Sequence, residues 1–559
     1  MLTLNTRTQF QTLLDAVTLR KADDSPAIIY LSIEAEPITV SRAQFVRAIT
    51  AYGAALLKMG IQPHDLVVIA HTQDLESIYA FWGALLIGAI PSMFSTLTEK
   101  LDPDIYTANM TELVRLSNVR AVLTTDEFAP TLAEKVGCPV YGSQTLLASL
   151  SDSSAFTPNV PAPGEIALLQ HSSGTTGLQK GVALSHSAVL NQLASYADAI
   201  ALTETDVIVS WLPLYHDMGL IAGFLMPLIQ GIPLVLMSPF EWVKSPAMLF
   251  RAIDSYHGTL CWLPNFAYNH CARRIRQRDL EGLSAASMRM FINCSEPVFA
   301  ESHQLFAERF APLGVVPAML GVSYAMAENT FAVTQTPPTE APTLDSIDRA
   351  ALQSDLRAVP VAADHPNALV KVSCGKPIHG VEVRAIDAEG QPLSERVVGE
   401  IVVRSDSMLS GYYMRPDLQP FRDGWYLTGD RGYLAAGEVY IVGRSKDLII
   451  NAGKNVYPGD IEAIINTISG VHAGRAVVFG VPDEREGTEL IAVVAEVESD
   501  DPDTRKTITQ NIRQAVAQRS TVTLNYVYLV DSRWLIKTSS GKIARAANRD
   551  KWLSERAQP

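Results

Sequence analysis

LLQHSSGTTGLQKG, running from Leu168 to Gly181, is the stretch from which the rest of the chain is best read. It starts inside the apolar run Ile166–Leu169 and then turns abruptly to hydroxyls and glycine. Gly174 and Gly177, the hydroxyls of Ser172, Ser173, Thr175 and Thr176, and Lys180 suit a loop whose N–H groups and hydroxyls surround a polyphosphate. The spacing is not that of a Walker A loop, in which four residues separate the glycines and Gly-Lys-Ser/Thr follows. Here only Thr175 and Thr176 stand between the glycines, and Gly181 follows Lys180. Taken alone, the same composition also describes a solvated Ser/Gly turn.

Around this loop, short β-branched runs alternate with helical patterns: Leu66–Ala70, Ala121–Thr124, Ile166–Leu169, Val207–Trp211, Leu234–Met237 and Met290–Ile292. That alternation predicts an α/β fold of parallel sheets covered by helices. The texture changes at VEVRAIDAEGQPLSERVVGEIVVRS, Val381–Ser405, which leaves no room for a crossover helix and predicts a small antiparallel β-subdomain over about 376–443. After Gly443 a second α/β pattern begins. It has a strand at Asp447–Asn451, a helix at Pro458–Ile468, strands near Ala476–Gly480 and Ile491–Val497, then a helical stretch from Asp500 and a Lys- and Gly-containing tail. A boundary near Gly443–Lys446 gives a large N-terminal domain, 1–445, and a C-terminal domain, 446–559, of ordinary domain size.

Composition narrows the function. With 559 residues, 47% hydrophobic and 19% charged, the chain has apolar material for large cores and suits two to four domains. A net charge of −14 argues against non-specific nucleic-acid binding, which depends on Lys and Arg neutralising phosphates. An acidic protein that handles a polyphosphate must gather positive potential locally. The five cysteines are scattered and form no CxxC pair, which fits reduced thiols in a cytoplasm. The polar Met1–Leu14 has neither a basic nor an apolar signal region. Met218–Phe240 carries no charge before Glu241 and is long enough to cross a bilayer, but Gly231 and Pro233 break it. It reads as a buried helix, a turn and a buried strand, Ile232–Met237, so no membrane span is expected.

SSGTTGLQKG resembles the signature loop of the adenylate-forming superfamily of acyl-CoA synthetases, luciferases and peptide-synthetase adenylation domains. Gln179 stands where that loop usually has proline. Further segments resemble the family's other signatures in the family's order. WLPLYHDMGL, Trp211–Leu220, is similar to the segment whose histidine lies beside the acyl carboxylate. The resemblance makes His216 catalytic and Tyr215, Met218, Gly219 and Trp262 parts of an acyl pocket, with Gly219 leaving space for the chain. A buried histidine hydrogen-bonded beside Asp217 is the plainer reading of His216.

FINCSEPV, Phe291–Val298, resembles the turn along adenine and implies contacts from Ser295 and Glu296. In GVSYAMAENT, Tyr324 and Glu328 stand at i and i+4, on one face if the segment is helical. By resemblance Tyr324 stacks on adenine and Glu328 helps hold Mg²⁺. Asp430 in GWYLTGDRGYL and Arg444 in GRSKDLI match the ribose contacts, and a carboxylate can accept from both hydroxyls. Lys446 matches the hinge about which a mobile C-terminal domain rotates, and Lys542 in KTSSGKIAR matches the catalytic lysine. The substrates so implied are ATP with Mg²⁺ and a carboxylic acid.

Within the superfamily, 47 positions separate Glu328 from Gly375, more than in ordinary acyl-CoA synthetases. The extra stretch, about Thr343–Asn367, resembles the insertion of fatty acyl-AMP ligases, which pass a fatty acyl group to the phosphopantetheine of an acyl carrier protein. Ile347, Leu352, Leu356 and Val359 could anchor a short helix there; a flexible loop is the alternative. Two other functions stay open: a medium- or long-chain acyl-CoA synthetase, and a non-catalytic nucleotide or acyl-adenylate sensor. Arg273, Arg274, Arg276 and Arg278 form a basic cluster that is either a solvated helix face or a docking patch for an acidic carrier.

Overall fold

Parallel strands buried on both faces must be nearly continuous apolar runs, and the sequence supplies them in four-residue pieces. In the computed structural model, which describes residues 10–97, 103–150, 156–171, 180–483, 488–520, 522–538 and 542–557, those pieces are strands. Leu66–Ile69, Ala121–Thr124, Leu234–Met237, Leu260–Leu263 and Met290–Asn293 are wholly buried. The chain divides into two compact units. The first comprises Met1–Pro342, Gly375–Val381 and Arg404–Gln419; the second comprises Thr343–Cys374, Glu382–Val403 and Pro420–Pro559.

Two mixed sheets form the first unit. One runs, in spatial order, Gly411–Tyr412, Gly181–Ser185, Ile166–His171, Ile90–Met93, Leu66–Ile69, Ala121–Thr124, Val140–Gly142. The strands from Ile166–His171 outward are parallel, and Gly181–Ser185 and Gly411–Tyr412 close the other edge antiparallel. The other sheet places Ala332–Gln335, Leu320–Ala325, Met290–Asn293, Leu260–Leu263, Ile208–Ser210, Leu234–Met237 and Pro26–Leu31 side by side, all parallel except the first.

Helices cover these sheets where the sequence offers caps. Ser41 and Gln44 form a capping box for Arg42–Lys58, and Asp74 accepts from the Ser77 N–H at the start of Leu75–Leu86. The uncharged run after Asp217 is a π-helix, Met218–Leu225, continuing as Met226–Gln230 and ended by Gly231 at φ +78° before the strand Leu234–Met237. Among the described residues no helix is long and apolar enough to cross a membrane.

The second unit begins with the inserted segment. It is a strand, Leu344–Asp348, a helix, Arg349–Asp355, and a return strand, Ala368–Val372, antiparallel to the first. A lone helix was expected; the alternation in LDSID, with Asp345 and Ile347 inward, makes a strand of that part instead. Ile347 and Leu352 are fully buried against Val398, Tyr433, Tyr440, Val442 and Tyr457, whereas Val359 is exposed. Asp345 lies beneath this cluster. It accepts from Arg396 Nη1 at 3.0 Å and from the Tyr433 hydroxyl at 2.7 Å.

The antiparallel subdomain is present as expected, its strands including Val381–Ile386, Gly399–Ser405, Trp425–Ala435 and Glu438–Arg444. Beyond it, a three-stranded sheet of Val471–Asp483, Thr488–Val497 and Tyr526–Val530 has period-two packing. Ala476 and Val478 face the helices Pro458–Ile465 and Pro502–Arg519, while Val477 and Phe479 face Trp552 of the helix Arg545–Ala557. The strand Tyr526–Val530 and the helix Arg545–Ala557 follow the helical stretch read from Asp500. By packing, Gly443–Lys446 lies inside the second unit, so the boundary read there is a position in the chain and not a break in the contacts.

Asp345→Ala should lower the melting temperature of the protein. It deletes the hydrogen bonds that Tyr433 and Arg396 give this charged group, the first of them buried, each worth about 1.5–3 kcal/mol. An unchanged thermal unfolding curve would mean that this carboxylate does not hold the insertion in place.

Candidate active site

Strands that run parallel side by side deliver their following loops to one edge of the sheet, and ligands bind there in open α/β sheets. Ile208–Ser210, Leu260–Leu263, Met290–Asn293 and Leu320–Ala325 are consecutive in that order. Trp211–Asp217 follows the first, Cys294–Glu296 the third and Met326–Glu328 the fourth. His216, Ser295, Glu296, Tyr324 and Glu328 are thereby gathered at one edge of one sheet in the first unit.

The His216 ring is held at its own segment. Its Nδ1 lies 2.5 Å from Asp217 Oδ1, and Asp217 also accepts from the Met218 N–H at 2.8 Å. The backbone of His216 is fixed by Pro213 O before it and Leu220 N after it. Burial pushes the Tyr215 phenol up to about 12, so it stays neutral.

Gly219 has a backbone reason of its own. A Cβ there would lie 2.2 Å from the carbonyl oxygen of Pro213 and 3.0 Å from that of Leu212. The glycine is needed for this close backbone approach. Met218 lies against Cys294, and Trp262 is a buried wall whose Nε1 donates to the Tyr196 hydroxyl at 2.8 Å. Tyr196 in turn donates to Gln335 at 2.8 Å, so the polar ends of this aromatic pair are satisfied internally.

Tyr324 and Glu328 do not share a helix face. Tyr324 sits in the strand Leu320–Ala325, paired with Thr334, and Glu328 in the short 3₁₀ turn Ala327–Asn329 that reverses the chain. Pairing on both sides of Leu320–Ala325 overrides the helical spacing. The turn is pinned from three sides. Asn329 Nδ2 donates to Ala332 O at 2.7 Å, Thr330 at φ +62° donates to Ser407 O at 2.7 Å, and the Leu409 N–H donates to Glu328 O at 2.8 Å.

Tyr412 went unnoticed in the sequence and is the residue that joins the two sheets of this unit here. Its hydroxyl donates to Glu328 Oε1 at 3.0 Å, and its ring lies 4.9 Å beneath the Lys180 ammonium. Only its place in GYY, unremarkable in itself, marks it in the sequence. Lys180 follows the phosphate-loop candidates Ser172, Ser173, Gly174, Thr175, Thr176 and Gly177, which lie outside the described residues; the strands that bracket them pair His171 with Gly181.

Ser295 takes φ +69° at the end of its strand, a strained conformation for a non-glycine residue. Glu296 Oε2 accepts from the Phe266 N–H at 2.9 Å, in the first turn of the helix Asn265–Arg274, so part of its carboxylate serves as a helix cap. At the other end of that helix Arg273 and Arg274 are exposed, while Arg276 and Arg278 both reach Asp279.

The second unit carries the remaining candidates. Asp430, on Trp425–Ala435, is buried and its Oδ1 takes the Arg444 Nε at 3.0 Å across a register pair. Both proposed ribose contacts are thus adjacent. Lys446 lies in the 3₁₀ turn Ser445–Asp447, and the Lys542 carbonyl accepts from the Thr538 N–H at 2.7 Å. Among the described residues no three His, Cys, Asp or Glu side chains cluster as metal ligands. A lone carboxylate such as Glu328 still fits Mg²⁺, which is usually held by one or two carboxylates together with substrate phosphates.

The profile of the AMP-binding enzyme family matches residues 15–413, and that of the AMP-binding enzyme C-terminal domain matches residues 460–542. The chain is 32% identical to the long-chain-fatty-acid–AMP ligase FadD32 of Mycolicibacterium smegmatis, over 89% of this chain and 87% of that one. It is 29% identical to the medium-chain-fatty-acid–[acyl-carrier-protein] ligase JamA of Moorena producens, over 98% and 95% of the two chains. A solved structure from work on fatty acyl-adenylate ligases of E. coli and L. pneumophila superposes with a TM-score of 0.90 at 26% identity, covering 98% of each chain.

Gly219→Ala should destabilise the protein by about 1–3 kcal/mol, as overpacking does, seen as a fall in melting temperature. If the position instead faced open space, alanine would be neutral or slightly stabilising, and a melting temperature at or above that of the parent would contradict the close backbone approach.

Proposed function

The chain belongs to the AMP-binding enzyme family, and from that premise we propose that it adenylates a fatty acid with ATP and passes the acyl group to the phosphopantetheine thiol of an acyl carrier protein. The observation that carries this reading is the ordered insertion. It packs on both sides of the proposed hinge, Lys446: on Tyr433 and Tyr440 before it, and on Tyr457 after it. Lys371 Nζ donates to Asp460 Oδ1 at 2.7 Å, and Asn455 Nδ2 to Gln353 O at 2.9 Å. A rotation about Lys446 that moved Asn455 and Asp460 away would have to break these contacts.

In the first step a carboxylate oxygen attacks the α-phosphorus of ATP, the bond to the bridging oxygen breaks, and pyrophosphate leaves. Two anions must meet, so catalysis is alignment and charge neutralisation. Lys180 and the loop before it would hold the β- and γ-phosphates, and Lys542 would bridge the acid oxygen and the α-phosphate. Mg²⁺ held by Glu328 and phosphate oxygens would draw charge off the leaving group. Tyr412 sets the spacing between Lys180 and Glu328. Asp430 would take the ribose hydroxyls, with Arg444 fixing its carboxylate, and Ser295, Glu296 and Tyr324 would border adenine. His216, orientated by Asp217, would stand beside the acid, with Tyr215, Met218 and Trp262 lining its chain.

In the second step the thiolate sulfur attacks the acyl carbon and AMP leaves, after the segment beyond Lys446, residues 446–559, has turned relative to residues 1–445. The exposed Arg273 and Arg274 offer an acidic carrier a positive patch. Five free cysteines among the described residues fit a cytoplasmic setting.

With ATP and a panel of short- to long-chain acids, the enzyme should acylate holo-carrier protein faster than free CoA. Equal rates would make it an acyl-CoA synthetase, and no fatty-acid-dependent pyrophosphate exchange would leave only a sensor. Lys371→Ala combined with Asp460→Ala should leave that exchange intact and raise the rate with CoA. Lys542→Ala should reduce exchange on the order of 10²–10³-fold while sparing transfer from supplied acyl-adenylate; equal loss in both steps would make Lys542 structural.

A further inference from the structure

Asn548 is fully buried, and its side-chain amide is completely used. The Oδ1 accepts from the Ile536 N–H at 2.8 Å, and the Nδ2 donates to Ile536 O and to Ala544 O, each at 2.8 Å. The amide thus pairs with both peptide groups of Ile536 as a neighbouring strand would. Ile536 and Ala544 are also joined directly, Ala544 N–H to Ile536 O at 3.0 Å, and within them Lys537 bridges to Ile543. The limbs 536–538 and 542–544 are therefore held against each other, and Lys542 stands on the second of them.

Three positions earlier on the same helix, Arg545 reaches outward. Its Nη1 takes Asp447 Oδ2 at 2.7 Å, its Nη2 takes Glu462 Oε1 at 2.7 Å, and its Nε donates to Val478 O at 2.8 Å. Each partner belongs to a different element. Asp447 follows Lys446 in the turn Ser445–Asp447, Glu462 is on the helix Pro458–Ile465, and Val478 is in the strand Val471–Asp483. Glu462 in addition accepts from the Val478 N–H at 2.8 Å, which closes the network on itself. Burial alone would lower the Arg545 pKa, but Glu462 and Asp447 outweigh it and raise it, so the cation persists at any working pH. Lysine could supply the charge, but not three donors in a planar fork.

We propose that Arg545 and Asn548 are positioning residues for Lys542. Asn548 fixes the limb that carries the lysine, and Arg545 ties the helix behind it to the residue following the hinge, so rotation about Lys446 moves Lys542 as a rigid arm. This rests on the reading of Lys542 and Lys446 given above. The reason such a frame is needed is mechanical. Lysine is a flexible four-carbon stem, and a misplacement of about 1 Å can cost on the order of a hundredfold in rate.

A double-mutant cycle on the full chain tests this, with fatty-acid-dependent pyrophosphate exchange as the readout and melting temperature as the check on folding. Asn548→Ser should lower kcat about tenfold to a hundredfold, with KM for ATP and for the acid within about twofold. In the Lys542→Ala background the same change should cost less than about twofold, because a residue that acts through Lys542 has nothing left to position. Arg545→Lys, which keeps a cation between Asp447 and Glu462, goes through the same cycle and replaces Asn548→Ser if that variant does not fold. The same fold-loss in both backgrounds, or a loss confined to KM, overturns the proposal. Should Lys542→Ala alone leave exchange unchanged, the premise falls and the inference with it, an outcome distinct from additive losses.

Discussion

Two anions have to touch for a carboxylate to attack a phosphate, and this chain, at −14, begins with the wrong overall sign. Positive charge must therefore be local and rigidly placed, because a mobile cation on an acidic surface is spent on nearby carboxylates. The placement observed is of that kind. Lys180 sits over the face of Tyr412, and the ring holds the ammonium without neutralising it. The same Tyr412 donates to Glu328, which fixes the proposed cation-binding oxygen at the hydroxyl end of the ring. In the second unit, Asn548 fixes Ile536 and Ala544, the second of them two positions after Lys542. Arg545 there pairs with both Asp447 and Glu462.

Much of the fold was legible because burial on both faces leaves a plain signal. Runs such as Ala121–Thr124 and Leu234–Met237 cannot be anything but apolar, and each is a strand to the residue. The uncharged stretch from Met218 resolved correctly into helix, turn and strand because Gly231 marks the turn. The failures have a common physical source. Tyr324 and Glu328 have helical spacing, but strand pairing on both sides outweighs a period read from two positions. The inserted segment was read by its apolar spacing alone. Its inward Asp345, buried because Arg396 and Tyr433 satisfy it, is invisible to any rule that seeks hydrophobic residues inside.

The candidate site divides in the same way. His216, Glu328, Asp430, Arg444 and Lys542 are proposed from spaced signatures, and the structure adds the partner that steadies most of them: Asp217, Tyr412, the Asp430–Arg444 pair itself, Asn548. Such partners come from distant parts of the chain. Tyr412 is 84 positions from Glu328, and nothing local to either residue announces the other. Gly219 shows another case, a residue singled out by its signature whose backbone reason only the coordinates reveal, in the Pro213 carbonyl that lies where a side chain would go.

The central claim is that the acid itself attacks the α-phosphorus of ATP. Turning over a fatty acid labelled with ¹⁸O in its carboxylate, with holo-carrier protein as acceptor, and weighing the released nucleotide tests it directly. The account predicts that one labelled oxygen appears in AMP, left there when the thiol displaces it from the acyl carbon. Label recovered in inorganic phosphate alongside ADP would mean attack at the γ-phosphorus, and would contradict it.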